Sequence, residues 1–146
     1  MRPAPDDPAV WLRSLLQQLD GRAIGLWRVD ADRLVQLGFL APPLDAALAE
    51  RFAAATASVS RDQIGLAIVK AAEQRKTVVS MADQLPAETG SGYWLRAFGT
   101  ERSVAVPLQG ASGDVCWVLS IALGRLPGEG VITELFHEAA RSHLLT

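Results

Sequence analysis

The stretch RSVAVPLQGASGDVCWVLSIAL, residues 102–123, decides how the rest of the chain is read. SVAVPL at 103–108 and DVCWVLSIAL at 114–123 are strand-like runs, and QGASG between them supplies a turn. Together they predict a β-hairpin. Successive side chains of a strand point to opposite faces. One face of this hairpin therefore carries Val104, Val106, Leu108, Val115, Trp117, Leu119 and Ile121, all bulky. The other carries Ser103, Ala105, Cys116, Val118, Ser120 and Ala122, mostly small. A strand that is apolar on both faces belongs inside a sheet covered on both sides. The bulky face calls for helices. The small face calls for close helix packing or for a cavity, and buried Ser103 and Ser120 there would need hydrogen-bond partners.

Working outward, Pro8 behind the candidate N-cap Asp7, then Trp11, Leu12, Leu15, Leu16 and Leu19 at helical spacing and a closing Gly21, predict an amphipathic first helix. AIGLWRV at 23–29 and RLVQLGFL at 33–40, joined by Asp30, Ala31 and Asp32, predict a first hairpin. After Pro42 and Pro43, LDAALAERFAAATASV at 44–59 places Leu44, Leu48 and Phe52 on one helical stripe. Ser60 and Gln63 resemble a capping box, which predicts another helix with Ile64, Ala67, Ile68 and Ala71 inward. TVVSMA at 77–82 reads as a short strand. Residues 83–100 read as a long irregular loop, a feature more often functional than accidental in a compact domain. GVITELFHEAARSHLLT at 130–146 predicts a terminal helix with Val131, Ile132, Leu135, Phe136, Ala139 and Leu144 on one face. There is no internal repeat or linker, so residues 1–146 are expected to form a single domain.

Composition narrows the function. Fourteen Lys and Arg against sixteen Asp and Glu give a net charge of −2, without the basic excess that binding to a phosphate backbone requires, so no nucleic-acid partner is expected. The longest apolar run, Val115 to Leu123, is far short of the roughly 20 residues that span a bilayer, and MRPAPDDPAV has no secretory apolar core, so no membrane is expected either. One cysteine, Cys116, fits a reducing compartment, with the cytoplasm as the default location. His137 and His143 lie on the terminal helix, no His, Cys and carboxylate cluster has ligand spacing, and the nucleophile-elbow and phosphate-loop motifs are missing. Neither a catalytic residue nor a metal site is expected, and no cofactor is identified.

The order helix, hairpin, helices, strand, long segment, hairpin, helix resembles the GAF domain, a sensory family related in architecture to PAS domains. The resemblance covers about residues 20–146 and rests chiefly on Ser103, Val106, Pro107, Leu108, Gly113, Val115, Val118 and Leu119, with VVSMAD at 78–83 as further support. Trp117 departs from it, standing where the family pattern has a glycine. The resemblance implies an α+β fold with a central antiparallel sheet of five to six strands, helices on both faces, and the N- and C-terminal helices together on one face. It also implies a non-catalytic sensory or regulatory module. The family's methionine sulfoxide reductase branch uses a cysteine in the loop before the final hairpin, where this chain has none, and Cys116 reads as a small apolar core group. The bilin-attachment cysteine and the cyclic-nucleotide signature are likewise missing.

By the same resemblance the Ser103 face is the pocket face, shared by Gly25 and Trp27, with the 83–100 segment as its lid. Candidate ligand-binding residues are Trp27, Asp83, Tyr93, Trp94, Arg96, Ser103, Ala105 and Ser120. Tyr93, Trp94 and Arg96 suit stacking on a ring or gripping an anion. The competing reading has Trp94 and Phe98 plugging the sheet while Arg96 pairs with Asp83 or Glu101, which leaves an interaction module with a closed pocket. Arg28, Arg33 and Arg102 read as surface charges. Because one sheet face cannot easily cover two terminal-helix stripes, a homodimer through those helices is expected, with Leu12 and Leu16 partly exposed in the single chain.

Overall fold

The computed structural model describes residues 8–42 and 45–145. Helix α1 (Pro8–Gln18) leads into strands β1 (Ala23–Val29) and β2 (Arg33–Leu40), then α2 (Ala46–Ala55), β3 (Ser58–Ser60), α3 (Ala67–Gln74), β4 (Val78–Met81), α4 (Gly90–Phe98), β5 (Arg102–Gln109), β6 (Val115–Leu123) and α5 (Glu129–His143). The strands form one antiparallel sheet in the order β3-β2-β1-β6-β5-β4. The doubly apolar β6 is interior, between β1 and β5, as its pattern requires. This is the α+β architecture expected, with α1 and α5 on one face and α2, α3 and α4 on the other. The expected N-cap Asp7 and stripe residue Leu44 lie outside the described residues.

The bulky face of the last hairpin packs under α1 and α5. Val104, Val106, Leu108, Leu119 and Ile121 form one core with Leu12, Leu15, Leu16, Ile132 and Phe136, and Trp117 is accommodated against its edge. The Trp11 and His143 rings stack at 5.1 Å and tie the two helices together. One expectation fails here. Leu12 is 0% exposed and Leu16 3%, so the α1 stripe is covered within one chain, while Val131 of the α5 stripe stays 52% exposed. The physical reason is the curl of the sheet, which lets α1 lie across β1 and β2 while α5 takes β5.

Three local expectations are also corrected. The helix over 44–59 stops at Ala55, and Ser58–Ser60 instead becomes the edge strand β3, where Val59 pairs with Leu34 and is fully buried. Ser60 caps no helix. Its hydroxyl accepts the Asp62 N–H in a turn, and Ile64 is left exposed. Helix α3 begins at Ala67 with its cap supplied from elsewhere in the chain: the Ser91 hydroxyl accepts the Ala67 N–H at 2.8 Å. The 83–100 segment is not one long loop, since its second half is α4.

Candidate functional site

The floor of the site is two rows of small residues running across three strands. Strand register aligns Ala23 with Ala122 and Ala122 with Ser103, and likewise Gly25 with Ser120 and Ser120 with Ala105. Side chains this small leave space between the sheet and the helices above it. Glycine is needed at 25 because the Trp27 ring lies over it, and a Cβ there would run into the indole. Trp27 is held in that position by its Nε1–H, which donates to the Thr56 carbonyl at 2.8 Å.

Helices α2 and α4 supply the roof. With roughly 100° per residue, Trp94, Leu95 and Phe98 share one side of α4, while Tyr93 and Arg96 fall on the other. Phe52 of α2 meets the inward rings, with centroids 4.9 Å from Trp94, 5.1 Å from Phe98 and 4.9 Å from Phe39 of β2. What remains between them is a small, partly open cavity of about 50 Å³, bordered by Trp27, Phe52, Trp94, Phe98, Ser103 and Ser120 among others. Two of its serines differ in state. Ser91 is engaged in capping α3, whereas Ser103, only 7% exposed, has its Oγ buried with no hydrogen-bond partner among the described residues.

The structure thus brings together four of the sequence candidates, Trp27, Trp94, Ser103 and Ser120. Ala105 lies on the same sheet face, but is packed under α3 in the neighbouring core and does not border the cavity. Asp83 is exposed in a short 3-10 turn, Ala82–Gln84. Tyr93 points outward, where its hydroxyl accepts from Arg51 Nη2 at 2.9 Å. Arg96 is exposed and donates to the Leu85 and Gly92 carbonyls, so it neither grips an anion in the cavity nor pairs with Asp83 or Glu101. Glu101 pairs with Arg125. Phe39, Phe52, Thr56 and Ser91 were not foreseen as site residues; the phenylalanines read as generic core, and only the tertiary fold brings them to this wall.

Arg102 is another correction, because it is buried at 6% exposure. Its Nε donates to the Gly124 carbonyl at 2.9 Å and its Nη2 to the Pro127 carbonyl at 2.6 Å. Burial pushes its pKa below the ordinary arginine value, and the charges of Glu129 and Glu101 oppose that shift. Cys116 is half-buried beside Gly110 and is not among the residues bordering the cavity.

No protein-family model matches the sequence, and no curated protein is detectably similar to it. Solved structures do match. The GAF domain/HD domain protein from Geobacter sulfurreducens superimposes with a TM-score of 0.67 at 15% identity, over 93% of this chain and 88% of that one. The GAF domain of a two-component sensor histidine kinase from Bacillus halodurans gives 0.66 at 15% identity, over 97% and 90%. Free methionine-R-sulfoxide reductase from Neisseria meningitidis, in complex with its substrate, gives 0.61 at 19% identity, over 91% and 71%. Identities this low speak for architecture and not for activity. The antiparallel sheet between a terminal helix pair and a three-helix roof is, in this chain as in those proteins, the GAF fold.

Proposed function

We propose that this chain is a non-catalytic sensory or regulatory module that takes a small molecule in the cavity between the sheet and α4. The observation that supports this most is the Ser103 hydroxyl, buried at the cavity wall with no hydrogen-bond partner among the described residues. Buried hydroxyls are almost always hydrogen-bonded, so the missing partner is expected to come from a molecule inside the cavity. Thermal shift and tryptophan fluorescence against a metabolite library test the reading. A compound that raises the melting temperature, with an effect weakened in Ser103→Ala, is the expected result. A library in which nothing shifts the wild-type protein overturns it.

A second reading is favoured by one specific number. About 50 Å³ holds little more than a water molecule at ~30 Å³ each, and drug-sized ligands occupy pockets of roughly 300 Å³ and more. On this reading the chain is an interaction module whose pocket is filled by its own side chains, and the library returns nothing. The reductase neighbour supplies a third, redox alternative. Cys116 stands apart from the cavity wall, so Cys116→Ser is expected to leave ligand response and any redox activity unchanged.

A further inference from the structure

The inner cavity has a neighbour on the outer side of the same wall. A cleft of about 330 Å³ is bordered by Gln63, Gly65 and Gly90, and it shares Thr56, Leu66 and Trp94 with the inner cavity. Trp94 is therefore a partition, with a small chamber on one side of its ring and open space on the other. Its ring sits in an aromatic cage: it meets Phe52 edge-on at 85° and 4.9 Å and Phe98 at 6.0 Å, and Phe52 in turn contacts Phe39 and Trp27. The ring is held by a latch on the exposed surface. The Arg51 guanidinium lies 5.9 Å from the Trp94 ring centroid and donates to the Tyr93 hydroxyl.

Among the described residues, neither space is bordered by a charged side chain. Moving an ion against the apolar and neutral polar walls of the inner cavity is disfavoured, since Arg51 lies beyond the Trp94 ring, whereas a neutral ring with one polar edge replaces like with like. Resting on the pocket reading above, we infer that the site takes a neutral, planar, ring-shaped small molecule bearing a hydrogen-bonding group. Such a molecule displaces the Trp94 ring towards the outer cleft, occupies its place among Phe39, Phe52 and Phe98, and sets its polar group against Ser103 Oγ. Trp94 in the closed structure is a tethered stand-in for that ligand. Its indole shows which shape the cage accepts, and swinging it out joins a 50 Å³ chamber to the space that a ring requires.

Nuclear magnetic resonance on the 146-residue chain tests this with two probes of matched shape, indole and indole-3-carboxylate. The four tryptophan Nε1–H signals and the amides of Ser103 and Ser120 are followed during each titration. Indole is expected to shift the Trp94 Nε1–H and the Ser103 amide together, and the carboxylate to shift neither. Arg51→Ala removes an exposed cation–π latch outside the cavity and is expected to tighten indole binding about 2- to 5-fold. Equal or tighter binding of the carboxylate overturns the neutral class, and a Ser103 shift with Trp94 unmoved overturns the displacement. Both of those results leave a small-molecule site standing. Silence from both probes, in the wild type and in Arg51→Ala, overturns this inference, and the pocket reading falls with it only if the metabolite library is silent as well.

Discussion

Ser91 and Ser103 face one cavity but stand in opposite energetic positions, and the difference is measurable. Ser91 gives α3 the cap that its own N-terminus lacks, since Leu66 at the cap position offers no side-chain oxygen. Ser91→Ala is expected to lower stability by about 0.5–2 kcal/mol in urea unfolding, the usual cost of losing an N-cap. The Ser103 hydroxyl has no hydrogen bond to lose among the described residues. Ser103→Ala is expected to leave the melting temperature equal to or above that of the wild type, and a loss above about 1 kcal/mol would mean that a partner was removed. Of these two roles the sequence disclosed one: period-two alternation placed Ser103 on the small-residue face. Ser91 gave no signal, because its partner lies 24 residues away in sequence.

Among the elements, α4 was the hardest to read and matters most to the site. Its sequence, GSGYWLRAF, opens with two glycines around a serine and has no side-chain cap, so propensity argues against a helix. Tertiary contacts override that preference. Gly92 packs so closely on the Pro86 carbonyl and the Leu85 side chain that no Cβ fits, and the Ser91 N–H donates to the Gly65 carbonyl. Gly92→Ala is therefore expected to destabilise the protein by about 1–3 kcal/mol despite alanine's better helix propensity. A rise in stability would show that α4 does not dock in this way. The loop expectation also set Tyr93, Trp94 and Arg96 side by side, whereas a helix sends the first and third outward and only Trp94 in. Strand β3 escaped notice for a simpler reason: three residues with one buried valine are too few to establish a period.

At the scale of the molecule, both hairpins and the terminal helices are legible because each repeats its hydrophobic period over several residues, and the short fourth strand because Thr77, Val78 and Val79 are consecutive β-branched residues. What no single-chain pattern conveys is how far a curled sheet lets two helices share one face. Leu16→Ala is accordingly expected to cost about 2–5 kcal/mol as a core cavity and to leave the mass measured by light scattering as it was in the wild type. A fall in mass without a loss of stability would restore an interface role for α1. The buried arginine has a consequence of the same reach. Arg102 and Ser103 are neighbours on β5, so their side chains leave the strand on opposite faces, one into the approach to α5 and the other towards the cavity. A single peptide unit thus joins the chamber to the segment that launches the last helix. If the chamber takes a guest as proposed, any coupling across that peptide unit acts in both directions, so loosening the grip on the Gly124 and Pro127 carbonyls would also alter how firmly the guest is held. Arg102→Lys keeps the charge but not the two-pronged reach, and is expected to weaken indole binding in calorimetric titration from a position that never touches the ligand. Unchanged affinity would mean that the two faces of β5 are not coupled at this point.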